Sequence, residues 1–164
     1  MRKVPAIALV VVMSLSGGVA CSSSDSGARR ALTKAADATA IAHLESVFHQ
    51  TATSKDIDGM MGLFADDSVF TVGGQSVTGK QQIRDFLLKN AAPLRPENHW
   101  VAETPIYKIR VTNNGDRGTL YFECHYVDVD SRVVKSVVSA DVKVSKLKDQ
   151  WMFTNLVAAP ATVS

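Results

Sequence analysis

The feature that most constrains this chain is a long hairpin pattern in its second half. Two strand-like segments, His99–Val111 and Gly118–Asp128, flank the turn sequence Asn113-Asn114-Gly115-Asp116. Asn and Gly tolerate the positive φ values that a tight hairpin turn requires, so the central Asn-Gly pair predicts the turn. Because an isolated hairpin cannot bury its apolar face, the rest of the chain must cover it. Alternation predicts one inward face on the second strand, made of Leu120, Phe122, Cys124 and Tyr126.

The opposite face of the second strand is polar. Glu123 and His125 are two residues apart and share this face with Tyr121, so the three side chains are candidates for a polar cluster. One interpretation is an acid–imidazole pair inside a pocket. The alternative, which the apolar character of the other face favours, is that this face points outward or into a dimer interface.

The first residues have the layout of a secretory signal. Arg2 and Lys3 precede an apolar run, and small residues precede Cys21, so we predict a signal peptide over residues 1–20. The run is too short for an ordinary membrane-spanning helix. The segment resembles a bacterial lipoprotein signal, in which Gly18-Val19-Ala20-Cys21 would be the lipobox and Cys21 the lipid attachment site. The alternative is cleavage after Ala20 by the general signal peptidase, which would release a soluble secreted protein.

These features predict an extracytoplasmic protein of the cell envelope, attached to a membrane only through its lipid. Residues 21–30 are rich in Ser and are expected to form a flexible tether. Residues 31–158 are long enough for one domain with its own core, and residues 159–164 are expected to be a tail.

Charge and cysteine content exclude several classes of function. Removing residues 1–20 takes Arg2 and Lys3 from the 18 Lys and Arg and nothing from the 16 Asp and Glu, which leaves 16 of each. A neutral chain gives no electrostatic reason to expect nucleic-acid binding. With Cys21 acylated, only Cys124 remains, and no zinc-type spacing exists. We therefore predict no metal site and no cofactor.

The first half of the chain is predicted to form helices and a small hairpin. Apolar residues at helical spacing predict a helix from about Ala31 to Thr51, with Glu45 and His49 off the apolar stripe and solvated. Asp56 is a predicted N-cap for a second helix, and Thr78 to Gln81 a predicted capping box for a third. A small hairpin lies between them. Four long antiparallel strands follow, so the fold class is α+β, with helices on one sheet face.

Five segments carry a resemblance to a known family, and they are Ser54–Asp58, Leu63–Phe70, Thr78–Ile83, Asn98-His99-Trp100 and Gln150–Phe153. Across about residues 38–157, the chain resembles the SnoaL-like branch of the nuclear transport factor 2-like superfamily. The resemblance implies a cystatin-like α-β-α-β-β-β fold, in which a curved antiparallel sheet wraps around N-terminal helices to form a conical pocket. Members include isomerases, dehydratases, cyclases and non-catalytic binding modules, and dimers are common, so the fold does not give the activity.

The resemblance also selects site residues. Matched to steroid-isomerase relatives, Phe48, Val72 and Val138 occupy the positions of proton-handling groups and cannot transfer a proton. Matched to dehydratase relatives, which use a pair of histidines, His99 is the candidate acid–base residue and His125 a candidate for its partner. The Tyr-Asp expected at the end of the first helix is replaced by Ala52-Thr53. The predicted pocket residues are Phe48, Val72, His99, Phe122 and Val138.

The leading hypothesis is a lipid-anchored domain that binds a small apolar or aromatic molecule in its pocket, without demonstrated catalysis. One alternative is a cofactor-independent dehydratase, cyclase or isomerase that uses His99. Another is an accessory module that forms a homodimer or binds a partner through its sheet face.

Overall fold

The structure is a computed structural model that describes residues 22–162, with side-chain environments from residue 25 onward. Three α-helices and a seven-stranded sheet make up these residues. The helices are α1 Ser22–Ser54, α2 Ile57–Met61 and α3 Lys80–Asn90. The strands are β1 Phe64–Val72, β2 Gln75–Thr78, β3 Trp100–Glu103, β4 Arg110–Asn114, β5 Arg117–Asp128, β6 Val134–Leu147 and β7 Gln150–Pro160. Short 3₁₀ turns occupy Ala92–Leu94 and Ile106–Lys108. No helix within residues 22–162 is both long and apolar enough to cross a bilayer.

The sheet is curved, unclosed and mixed, with strand order β2-β1-β7-β6-β5-β3 and with β4 also paired to β5. All neighbours are antiparallel except β1 and β7, which run parallel. The sheet is therefore antiparallel, as expected, at every neighbouring pair except this one. β7 also continues to Pro160, beyond the predicted domain end at Ala158.

The central hairpin forms, but its first strand is not continuous. Asn114 pairs with Arg117 across a two-residue turn, in which Gly115 takes a φ of +61°. The predicted strand His99–Val111 is instead divided into β3 and β4 by the 3₁₀ turn after Pro105. Proline has no backbone N–H to donate to a sheet, so the ladder breaks beside it.

Helix α1 is longer than predicted, at 33 residues. A flexible tether was expected over residues 21–30, and α1 covers residues 22–30 of this segment. Ala28, Arg29 and Arg30 are good helix formers, and Asp25 lies in the first turn, where a negative charge is favourable. Residues 25–36 are exposed, so the first part of α1 extends beyond the sheet. Where it meets the sheet, Asp37 accepts hydrogen bonds from Lys146 Nζ at 3.0 Å and Trp151 Nε1 at 3.1 Å.

Of the two predicted helix N-terminal caps, one forms and the other does not. Asp56 caps α2 as predicted, since its Oδ1 accepts from the Gly59 amide at 2.9 Å. The capping box of α3 is wrong, because Thr78 belongs to β2 and the N-cap is Gly79 without a side-chain hydrogen bond. Thr78 is paired with Val69 in the sheet ladder, which takes it out of the capping position.

The core lies between the concave face of the sheet and the three helices. The predicted inward face of β5 is confirmed, because Leu120, Phe122, Cys124 and Tyr126 are all buried. They pack with buried residues of the helices and of the neighbouring strands, among them Ile41, Phe64, Ile83, Val142, Phe153 and Leu156.

Candidate functional site

A cavity of about 470 Å³ opens between the concave sheet face, the last turns of α1 and the end of α3. Its walls are strongly aromatic, with Phe48, Phe70, Phe86, Trp100, Phe122 and Tyr126 among the lining residues. Aliphatic side chains from β6 and β7 complete the floor, including Val138, Ala140, Leu156 and Ala158. This volume and lining are typical of sites that enclose a small molecule.

Four of the five predicted pocket residues line this cavity, namely Phe48, Val72, Phe122 and Val138. The fifth, His99, is corrected. Its side chain is 67% exposed, and its Nδ1 lies 3.2 Å from Asp130 Oδ2, on the turn between β5 and β6. The neighbouring Trp100 lines the cavity instead. Because successive residues of an extended chain point to opposite sides, the inward position of Trp100 directs His99 away from the cavity.

The polar atoms of the cavity wall are few and neutral. Asn90 donates from Nδ2 to the Phe86 carbonyl at 2.8 Å, so part of its amide is already engaged in the last turn of α3. Burial raises the pKa of the Cys124 thiol to about 12, and burial also raises the pKa of Tyr126. Within residues 25–162, no Asp, Glu, His, Lys or Arg is among the lining side chains. The cavity can therefore bind an apolar group, but its wall has no acid–base residue suited to neutral pH.

A buried polar pair lies on α1, beside the cavity-lining residue Phe48. Glu45 and His49 are only 5% and 7% exposed, which corrects the expectation that both are solvated. His49 Nδ1 is 2.6 Å from Glu45 Oε1, and His49 Nε2 is 3.2 Å from Thr104 Oγ1. Thr104 Oγ1 in turn donates to the Glu123 carbonyl at 2.7 Å. This network joins α1 to the segment that interrupts the first strand of the hairpin.

The electrostatics of the pair follow from these contacts. Burial alone would raise the pKa of Glu45, but the hydrogen bond and positive charge of His49, with smaller contributions from Thr104 and Ser46, lower it below its usual value. The aromatic ring of Phe122 lies edge-on to the imidazole, with ring centroids 5.5 Å apart. Sequence reasoning missed this pair, and its one local signal is the four-residue spacing that places Glu45 and His49 on the same helix face.

The predicted polar cluster of Tyr121, Glu123 and His125 forms, but on the sheet face opposite the cavity. Glu123 Oε1 accepts from Tyr121 Oη at 2.8 Å and from Lys108 Nζ at 3.1 Å. His125 Nε2 is 3.9 Å from Glu123 Oε2, too far for a hydrogen bond. The hydrogen bond from Tyr121, together with Lys108, lowers the pKa of Glu123, and the same bond raises the pKa of Tyr121. The interpretation of this cluster as a pocket pair is therefore corrected.

Other predicted features are outside the site. No group of three or more His, Cys, Asp or Glu side chains suited to a metal ion occurs in the part of the chain that the structure describes. The predicted signal peptide and the lipid attachment residue Cys21 lie outside the described residues.

The curved sheet, the helices on its concave face and the apolar cavity between them define an α+β domain with a cavity at one side of the sheet. No protein-family model matches the sequence, and no curated protein matches it. Solved structures, in contrast, match the fold of this chain. A nuclear transport factor 2-like protein with a cystatin-like fold from Novosphingobium aromaticivorans is 16% identical with a TM-score of 0.69, and the match covers 90% of this chain and 94% of that one.

Two further solved structures have a similar fold. A nuclear transport factor 2-like protein of unknown function from Pseudomonas putida has a TM-score of 0.67 at 18% identity, covering 79% of this chain and 89% of that one. A ketosteroid isomerase-like protein from Erwinia carotovora atroseptica has a TM-score of 0.59 at 13% identity, covering 77% and 98%. The chain thus has the cystatin-like, nuclear transport factor 2-like fold, as the sequence resemblance implied.

Proposed function

We propose that this protein binds a small apolar or aromatic molecule in the cavity between α1, α3 and the sheet. The observation that carries the proposal is the lining itself, which is aromatic and aliphatic with few polar atoms. The absence of an ionised lining residue within residues 25–162 supports binding rather than acid–base catalysis. The location of His99 outside the cavity gives no support to the alternative of a dehydratase, cyclase or isomerase that uses this residue.

Fluorescence titration with N-phenyl-1-naphthylamine, a neutral apolar dye, tests the proposal. We expect a saturable increase in emission with one site per chain. Val138 lines the cavity, so Val138→Trp should fill part of it and weaken binding at least about tenfold, equivalent to ~1.4 kcal/mol. The matched control is Val157→Trp, a change of the same size at a residue that is 41% exposed. The proposal fails if the dye does not saturate, or if both variants bind it as the unaltered protein does.

We further propose that the protein is extracytoplasmic and held at a membrane by a lipid on Cys21. The basic start, the apolar run and the small residues before Cys21 support this location. Mass spectrometry of the protein from its own host should find an acylated N-terminal Cys21, and Cys21→Ala should release the protein from the membrane fraction. An unmodified chain that begins at Cys21 in the soluble fraction would instead indicate ordinary secretion.

Formation of a homodimer through the outer sheet face stays a prediction. Sedimentation equilibrium of the purified protein measures its mass in solution. Asn155 lies near Tyr121 on this face, and Asn155→Arg should separate the subunits if the face is the interface.

A further inference from the structure

The cavity wall is apolar in its interior but not at its mouth. Interior lining residues such as Phe122, Leu156 and Met60 are buried. Ser136 on β6 is half-buried and Asn90 at the end of α3 is exposed, so these two lining residues mark the side on which the cavity meets solvent. A ligand that enters from this side with its apolar part first keeps its last group beside them.

Four lining side chains carry an oxygen or nitrogen atom, and two of these are already engaged. The four are Asn90, Trp100, Tyr126 and Ser136. The Tyr126 hydroxyl is paired with the Cys124 thiol, which also lines the cavity. Hydrogen bonds from Ser131, with a smaller contribution from the indole N–H of Trp100, lower the pKa of Asp128. The indole N–H therefore faces a carboxylate that is not part of the lining.

The hydroxyl of Ser136 is free to bind a ligand, because it has no hydrogen-bond partner within residues 25–162. Ser136 lies directly opposite Tyr126 in the ladder between β5 and β6, and its inward neighbours along β6 are Val138, Ala140 and Val142. A serine thus interrupts an otherwise apolar strand face, at a position where a β-branched apolar residue would favour the strand more. A half-buried hydroxyl without a partner is stabilised by a ligand that supplies a hydrogen bond.

The wall also limits the charge that a ligand can carry. Within residues 25–162, no Lys, Arg or His side chain lines the cavity, so an ionised group would lose water without gaining a counter-ion. A hydroxyl group suits this wall, because the Ser136 hydroxyl can donate to its oxygen or accept its hydrogen. The amide oxygen of Asn90, whose nitrogen donates to the Phe86 carbonyl, is a further neutral acceptor.

We propose that the ligand of the cavity is an uncharged apolar molecule with a single hydroxyl group, whose apolar body occupies the aromatic interior and whose hydroxyl is hydrogen-bonded to Ser136 near the mouth. This inference rests on the proposed function and makes it more specific. Ser136 selects an alcohol or phenol over the corresponding hydrocarbon, and the neutral wall selects it over the corresponding carboxylate.

The test compares three probes with the same ring system, namely 2-naphthol, naphthalene and 2-naphthoate. Their affinities for the purified protein are measured by equilibrium dialysis at pH 7.5, where the phenol is uncharged and the carboxylate is ionised. We expect 2-naphthol to bind about fivefold more tightly than naphthalene, as for one net hydrogen bond. We expect 2-naphthoate to bind at least about tenfold more weakly than 2-naphthol, because its charge meets no cation in the wall.

Three variants assign the preference to the hydroxyl of residue 136. Ser136→Ala removes only this hydroxyl and should abolish the preference for 2-naphthol over naphthalene by weakening 2-naphthol alone. Ser136→Thr keeps a hydroxyl and should retain the preference. The matched control is Ser139→Ala, on the same strand but on the opposite sheet face, where the hydroxyl donates to the Ala159 carbonyl at 3.3 Å. This control should change no affinity.

The outcomes separate this inference from the proposed function. Equal binding of 2-naphthol and naphthalene to the unaltered protein would overturn the role of Ser136 and leave the apolar cavity as a binding site. Equal weakening of both neutral probes in a folded Ser136→Ala variant would also overturn it, because the serine would then only shape the wall. If 2-naphthoate binds as tightly as 2-naphthol, the selection of an uncharged ligand is wrong. If neither the three probes nor N-phenyl-1-naphthylamine binds, the proposed function itself fails.

Discussion

The buried Glu45–His49 pair gives the sharpest test of how α1 is held inside the sheet. Glu45→Ala leaves the imidazole of His49 without its carboxylate partner at a site where both residues are buried. Leaving a buried donor without its acceptor costs about 1–3 kcal/mol. The bond between His49 and Thr104 remains in the variant, so we expect a loss of ~2 kcal/mol. In a domain of this size that corresponds to a fall in Tm of about 8 °C.

Urea unfolding followed by circular dichroism at pH 7.5 measures this loss. The matched control is His43→Ala, an exposed histidine on the same helix, which should change the free energy of unfolding by less than about 0.5 kcal/mol. A double-mutant cycle with His49→Ala isolates the pair, and its coupling energy should exceed about 1 kcal/mol. A Glu45→Ala loss no larger than that of the control would refute the idea that the pair holds α1 in place.

The pH dependence of the unfolding free energy of the same variant tests whether the ionised form of Glu45 stabilises the folded protein. The pKa of Glu45 is lower in the folded protein than its ordinary value of about 4.3, so its ionised form is the one that folding favours. This stabilisation is fully present above pH ~4.3 and is lost as pH falls through the lowered folded value. The gap in unfolding free energy between the unaltered protein and Glu45→Ala should therefore narrow on acidification below about pH 4. A gap that stays constant from pH 7 to the acid limit of folding would show that the charge of Glu45 is not responsible.

Two further substitutions test contacts between α1 and the sheet and within the sheet. The hydrogen bond from Lys146 lowers the pKa of Asp37, so the ionised carboxylate stabilises the folded protein at neutral pH, and this stabilisation is lost as the pH falls through the lowered pKa. Asp37→Asn should therefore lower the urea midpoint of unfolding at pH 7 and lower it less at pH 3. A methyl group at Gly118 would lie 2.5 Å from the Thr112 carbonyl, so Gly118→Ala should cost about 3 kcal/mol in urea unfolding. Gly27→Ala, in open space on the exposed part of α1, should be neutral or slightly stabilising and is the control.

Local sequence patterns predicted the structural elements whose conformation depends on neighbouring residues. The Asn-Gly turn and the alternation along β5 indicated both the hairpin and its buried face. The parallel pairing of β1 with β7 is different, since it joins segments that are distant in sequence and leaves no local signature. The extension of α1 back to Ser22 was missed because a Ser-rich composition suggests a linker, although the helix formers that follow it favour helix.

Prediction of the site depended on side-chain direction. Phe122 was placed correctly by strand alternation, whereas Phe48, Val72 and Val138 came from the family resemblance. The same resemblance drew attention to His99, but one position along an extended chain changes the face of a side chain, and Trp100 holds the inward one.

The buried pair on α1 and the break in the hairpin are parts of one arrangement. Between the pairing of Glu103 with His125 and that of Arg110 with Tyr121, no residue of β3 or β4 is paired with Glu123. The hydroxyl of Thr104 donates to the carbonyl of Glu123 there, in place of a ladder amide. Because that hydrogen is given to Glu123, the oxygen of Thr104 is left to accept from His49, whose other nitrogen faces Glu45. The irregular strand thus supplies the partner that lets a histidine and a glutamate be buried on α1 without an unsatisfied ring nitrogen.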